Sequence, residues 1–176
     1  VANIATNDRS AFISFSFFFT STSNGVVTSS NPASLKSALD ALYFTANNGS
    51  TGVELWKSTG VGATLVKDIV PGAGGSSPSQ LTLVHRAAGD TLYFVADNQL
   101  WALDKTSAIP RKIVVDEQVD VGAGAAINPT GLTAAGDKLY FRADDMQPGE
   151  TAPVTRLWSI DASGTLKQLL NVIPPK

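Results

Sequence analysis

The sequence predicts an all-β chain, a propeller-like array of about three four-stranded antiparallel units preceded by an apolar strand segment. Three observations carry this reading. Leu42-Tyr43-Phe44, Leu92-Tyr93-Phe94 and Leu139-Tyr140-Phe141 start 50 and 47 residues apart. Each triplet is followed by Leu55-Trp56, Leu100-Trp101 or Leu157-Trp158, so all three tyrosines and all three tryptophans stand in one repeating pattern. Self-similarity at a period of about fifty marks an architecture in which each unit is one small antiparallel sheet. Composition agrees: charged residues are only 16% of the chain, and 15 Gly and 9 Pro supply turns, so helix should be scarce.

The elements follow in a fixed order. Each unit opens on Pro-x-x-Leu, at Pro32 and Leu35, Pro78 and Leu81, Pro129 and Leu132. Proline starts a strand but does not sit inside a central one, so these are short strands beginning at the proline. A turn comes next, Leu39-Asp40, Gly89-Asp90 and Gly136-Asp137, and Gly-Asp between apolar runs signals a hairpin. The Leu-Tyr-Phe strand is second and the Leu-Trp strand third, their leucines 13, 8 and 18 positions apart, so the loop between them varies and belongs on the surface. Another turn, residues 58–60, 104–106 or 161–164, leads to the fourth strand, residues 64–69, 112–115 or 165–170. The units run from about 31 to 77, 78 to 128 and 129 to 176. The aromatics Tyr43, Trp56, Tyr93, Trp101, Tyr140 and Trp158 are expected to pack between neighbouring sheets, each removing about 150–250 Å² from water.

Residues 1–30 stand outside the repeat as a Phe-rich strand segment. Ile13, Phe15, Phe17 and Phe19 alternate with Ser14 and Ser16, which gives a strand one wholly apolar face, an interaction surface for a blade or a neighbouring chain. The apolar run of residues 12–19 is too short to cross a bilayer as a helix, so no transmembrane segment is expected. The chain starts at Val1, which points to a processed form or a fragment.

Several functions are disfavoured. A net charge of −2, with 13 Lys and Arg scattered along the chain, provides no basic field for a nucleic-acid backbone. The absence of cysteine removes disulfides, thiolate metal sites and a cysteine nucleophile. The sole histidine, His85, has no evident Ser or Asp partner, so no catalytic residue is predicted and the chain is read as non-enzymatic, with no cofactor. Asp144, Asp145 and Glu150 put three carboxylates in one loop, a candidate for calcium without EF-hand spacing. Asn48-Gly49-Ser50 forms a glycosylation sequon.

Residues 53–60, Val-Glu-Leu-Trp-Lys-Ser-Thr-Gly, followed by Ala63-Thr64-Leu65-Val66-Lys67-Asp68-Ile69-Val70-Pro71-Gly72, resemble a family whose repeat carries the consensus Glu-Leu-Trp-x-x-Asp-Gly-Thr, the hyalin-repeat-like surface proteins. As in that family, a Gly- and Ser-rich stretch then leads through Pro-x-x-Leu to Leu-Tyr-Phe. The later units keep Leu-Tyr-Phe and Leu-Trp but lose the Glu and the Gly-Thr pair. The resemblance spans residues 31 to about 170. It implies a β-propeller in secreted, cell-surface or periplasmic-type proteins, mostly bacterial, that usually have no assigned enzymatic activity. Three blades are fewer than the four to eight of a closed propeller. Association is therefore expected, with a protein partner or a second copy, through the N-terminal strand or the open blade edges. Two alternatives stand beside it. One is a lectin-like module whose repeated aromatic and Asn or Asp loops meet glycans. The other is a quinoprotein-type propeller, which residues 92–106 resemble in that one unit.

Overall fold

The computed structural model describes residues 29–113, 128–145 and 149–170, and these form twelve strands and no helix. They make three four-stranded sheets, each a meander in chain order with every pairing antiparallel. The first sheet is β1 (Ala33–Ala38), β2 (Ala41–Asn47), β3 (Val53–Ser58) and β4 (Thr64–Lys67). The second is β5 (Ser79–Val84), β6 (Thr91–Ala96), β7 (Gln99–Asp104) and β8 (Arg111–Lys112). The third is β9 (Thr130–Ala135), β10 (Lys138–Asp145), β11 (Val154–Ile160) and β12 (Leu166–Leu170). The expected apolar strand with Ile13, Phe15, Phe17 and Phe19 lies outside the described residues, as does the end of the fourth strand expected at 112–115.

The first strands of the sheets adjoin, β5 lying against β1 on one side and β9 on the other; among the described residues the sheets do not close into a ring. Packing between sheets is directional. β6 and β7 turn Leu92, Phe94, Ala96 and Leu103 toward the first sheet, where they meet Tyr43 and Leu55. β10 and β11 turn Leu139, Phe141, Ala143, Trp158 and Ile160 toward the second sheet, where they meet Val84, Tyr93, Leu100 and Ala102. Strand alternation dictates this: within Leu-Tyr-Phe-x-Ala, Leu, Phe and Ala share one face and Tyr takes the other. Each sheet thus has a leading face of Leu, Phe, Ala and Trp and a trailing face of Tyr and Leu, and leading packs on trailing.

Tyr43, Trp56, Tyr93 and Trp158 are buried, whereas Trp101 and Tyr140, expected to be buried alike, are half-buried. Trp101 sits at the margin of its interface, with the Lys67 ammonium 5.3 Å from the ring centroid. Tyr140 belongs to the trailing face of the third sheet, where no described sheet follows. The indole nitrogens of Trp56 and Trp101 donate to the carbonyls of Ala46 and Ala96, at 3.0 and 3.1 Å, tying the third strand of each sheet to the second. Trp158 Nε1 makes no such bond.

Backbone conformations explain motifs that the pattern alone leaves unassigned. The third residue of each Pro-x-x-Leu has positive φ: Ser34 at 53°, Gln80 at 55° and Gly131 at 66°. At that point the pairing of the first strand with the second shifts register, so the motif encodes a bulge just inside each first strand. Leu39 and Asp40 both take positive φ, 49° and 62°, as a two-residue type I′ hairpin requires. Gly89-Asp90 does not form the expected two-residue hairpin. β5 ends at Val84, and residues 85–90 make a longer loop closed by Gly89 N donating to Arg86 O at 3.0 Å.

The link from the first sheet to the second is held by close backbone contact. Val53 and Gly75 form a parallel bridge, and Ser77 N donates to Val53 O at 3.0 Å. Gly52 and Gly75 both have positive φ, and a Cβ on Gly52 would lie 2.4 Å from Gly75 N, one on Gly75 2.3 Å from Val53 N. Neither position has room for a side chain. Gly52→Ala and Gly75→Ala should therefore each destabilise the protein by at least ~2 kcal/mol, through clash and a disfavoured φ, while Gly74→Ala, at an open position without positive φ, costs about 1 kcal/mol or less. Urea titrations of the three variants check this. Trp158→Ala should cost about 3–5 kcal/mol and Trp101→Ala clearly less, following their burial, as thermal unfolding will show.

Candidate interaction surfaces

The residue before each Leu-Trp differs between units, Glu54, Gln99 and Arg156, and in two of them it is a buried charge. Glu54 is fully buried at 0% exposure. Its carboxylate accepts from Ser76 N at 2.8 Å, from the Ser76 hydroxyl and, at 3.4 Å, from Val70 N. The Glu of the Glu-Leu-Trp motif is thus a clamp on the connection that carries the chain into the second sheet. Burying a carboxylate is tolerable only with such donors around it.

Arg156 occupies the matching position in β11 and pairs with Asp145 and Glu150. This corrects the loop reading of the three acids. Asp144 and Asp145 are the last residues of β10, on opposite faces of the strand. Asp145, buried, holds Arg156, whereas Asp144 accepts from the Thr155 hydroxyl at 2.6 Å and from Asn128 Nδ2 at 3.3 Å. The alternation of the strand separates them, and the guanidinium already engages Asp145 and Glu150. Among the described residues no group of His, Asp and Glu could hold a metal ion.

An open cleft of about 410 Å³ lies between the second and third sheets, lined by Arg86, Asp90, Asp104, Lys105, Arg111 and Ser163 among others. Its charges are satisfied by one another or by the backbone. Arg86 donates to Asp137 O and to the Tyr93 hydroxyl, both at 2.9 Å, with its guanidinium 5.4 Å from the Tyr93 ring centroid, so it fastens the second sheet to the third. Arg111 pairs with Asp104 at 3.0 Å, and exposed His85 with Asp90 at 3.0 Å. Lys105 reaches Asp40 at 2.5 Å, linking the second sheet to the first hairpin, and this partner raises its pKa.

Asp104 and Asp161 hold the turns after β7 and β11. Asp104 is pushed below the usual carboxylate range by the Thr106 hydroxyl, against some desolvation, with help from the Ser107 and Thr106 amides and Arg111. Asp161 is lowered by the Ser163 hydroxyl, then by the Thr165 and Ser163 amides and Lys167. Burial raises the Tyr43 phenol. These groups stabilise turns and a sheet interface.

What remains is the outward face of the third sheet. Tyr140, Arg142 and Leu157 stand on the side of β10 and β11 that points away from the second sheet. Tyr140 and Leu157 are half-buried and Arg142 is exposed, whereas their counterparts Tyr43, Tyr93, Leu55 and Leu100 are buried under the next sheet. The sequence pointed to the N-terminal strand and to sheet edges but not to this face, which the spacing of Leu-Tyr-Phe alone encodes. No helix among the described residues is long and apolar enough to cross a membrane. Comparison with protein-family models, with curated proteins and with solved structures returns no match.

Removal of the buried charges tests the clamps. Glu54→Ala should cost about 3 kcal/mol, because it strands the Ser76 and Val70 donors, and Arg156→Ala about 3–5 kcal/mol, because it removes the guanidinium paired with the buried Asp145 carboxylate. Denaturant unfolding measures both.

Proposed function

We propose that this chain is a non-enzymatic interaction module, a propeller-type array of three blades that works in a secreted or cell-surface assembly. The observation that carries it is the half-exposed Tyr140 and Leu157 face. It repeats the Tyr and Leu positions that the first and second sheets use to bind the sheet after them, here half-exposed beside an exposed Arg142. Its complement is known from the same molecule: a sheet presenting Leu, Phe, Ala and Trp, as the second and third sheets do. A further blade of that pattern, from a second copy or a partner protein, is the occupant.

Two further points support the reading. The first strands β1, β5 and β9 adjoin in order, which supports reading them as the inner strands of consecutive blades. The burial of Glu54 gives a physical reason for the Glu-Leu-Trp motif and for the Gly- and Ser-rich connection behind it, the features through which the chain resembles the Glu-Leu-Trp-x-x-Asp-Gly-Thr repeats. An interaction role also fits the cleft, where Arg86 and Lys105 are spent on joining sheets.

Sedimentation at increasing concentration, alone and with candidate surface partners, tests the proposal. The wild type should associate, and Tyr140→Glu with Leu157→Glu should abolish association while changing stability by about 1 kcal/mol or less, since both positions are half-exposed. A chain that stays monomeric at high concentration, and whose partner capture is unaffected by the double variant, overturns it.

A further inference from the structure

The second sheet grips the third through a side chain at its bulge. Gln80, the positive-φ residue of β5, donates from Nε2 to Pro129 O at 3.4 Å and accepts from Leu132 N at 3.2 Å, so its amide reads one acceptor and one donor on the backbone of β9. Thr82 adds a bond to Leu132 O at 3.3 Å. In the third sheet the matching bulge residue is Gly131, which has no side chain to offer. Arg142 stands in its place. A Cβ on Gly131 would lie 3.7 Å from Arg142 Nε and 3.9 Å from Nη2, so the guanidinium occupies the space into which a side chain at the bulge would project. Residues 130–135 of β9 are exposed except for half-buried Leu132, and Arg142 is exposed with them.

The exchange of an amide for a guanidinium changes what this edge can bind. A carboxamide carries donors and an acceptor, whereas a guanidinium carries donors only. Arg142 therefore cannot accept from a backbone amide as Gln80 does, and it matches a group that offers acceptors alone. Burial sharpens the demand. Thr45 and Val95, which hold the position of Arg142 in the first and second units, are 4% and 9% exposed. A sheet seated on the third would bury Arg142 likewise, and a buried guanidinium needs a carboxylate beside it. Among the described residues none pairs with it: Asp144, two residues along on the same face, accepts from Thr155 and Asn128, and Asp145 holds Arg156.

We propose that the sheet completing this face belongs to a different protein, one whose first strand presents a carboxylate to Arg142. The inference rests on the reading of the Tyr140 and Leu157 face as a docking surface, and it names the chemistry of the partner. Guanidinium and carboxylate match in a planar, two-bond pair. A second copy of this chain does not supply one, since β1, β5 and β9 contain no Asp or Glu and β1 carries Lys36 instead. Arg142 thus selects an acidic strand and disfavours the first strands of its own chain.

Labelled peptides copying residues 128–137, the stretch that Gln80 reads, test it, one unsubstituted and three carrying Thr130→Glu, Thr130→Gln or Thr130→Lys. Thr130 lies between the two residues whose backbone Gln80 grips, and Gly131 is kept for its positive φ. Fluorescence anisotropy with the full chain should show the Glu peptide binding at least ~10-fold more tightly than the Gln peptide, with the Lys peptide weakest, and added salt should shrink the gap. Arg142→Gln should erase the preference and Arg142→Glu should transfer it to the Lys peptide, with the Tm of both variants unchanged because the residue is exposed. Equal binding of the Glu and Gln peptides, a preference that survives Arg142→Gln, or no binding by any peptide overturns the proposal. Tyr140→Glu with Leu157→Glu judges the docking surface separately. Equal binding that these two changes abolish would overturn the selection of an acid and leave the docking surface standing, whereas a Glu preference that persists through them would support the role of Arg142 and count against the docking surface.

Discussion

Everything in this structure depends on the two-sidedness of the Leu-Tyr-Phe-x-Ala strand. Pleating sends Leu, Phe and Ala one way and Tyr the other, so every sheet has two apolar faces of unlike shape. In the two interfaces between described sheets each face meets its complement. The second and third units therefore bury Phe94, Leu103, Phe141 and Trp158 against the unit before them rather than within themselves. The repeated pairing of Tyr93 and Leu100 with Phe141 and Trp158, and of Tyr43 and Leu55 with Phe94 and Leu103, is one interface made twice from one sequence pattern.

Polar chemistry serves that stacking. The apolar faces fix which sheets meet but not how far they slide, and side chains at the margins set the alignment. Arg86 bridges from the loop after β5 to the turn before β10. Gln80 exchanges hydrogen bonds with the Pro129 carbonyl and the Leu132 amide, 3.4 and 3.2 Å, where β5 runs beside β9. Lys105 and Asp40 do the same between the second and first sheets. Gln80 has positive φ to do so, a conformation that glycine takes at lower energy, as Gly131 does in the third unit. There the strained non-glycine residue is retained for its side-chain amide.

The strand order and the partition into three sheets were legible because turn-bounded apolar strands recur in register, with Leu-Tyr-Phe and Leu-Trp as markers. The bulge in Pro-x-x-Leu was not, since only Gly131 of the three bulge residues has a sequence suggesting positive φ, and Ser34 and Gln80 give no such sign. The acids Asp144, Asp145 and Glu150 read as one cluster because they are close along the chain; the extension of β10 to Asp145 turns two of them to opposite faces. Glu54 was visible as a motif letter, yet its role depends on Ser76, twenty-two residues away, a contact that no local pattern announces. The outward face at Tyr140 followed from nothing local either, because exposure is a property of the last unit and the tyrosine itself is the same in all three.

The charges before Leu-Trp set the natural seams of the chain. Glu54 finds its donors in the connection ending at Ser77, and Arg156 finds Asp145 and Glu150 within its own unit, so each buried charge has its partners without help from another unit. Apolar contacts, by contrast, are shared across units and are nearly interchangeable. Exchange of one unit for another should thus be tolerated best if the junction falls just before the proline that opens a sheet, where each buried charge moves with its partners and the faces still fit. A crossover inside the third strand would bring a buried glutamate or arginine into a block built for its opposite.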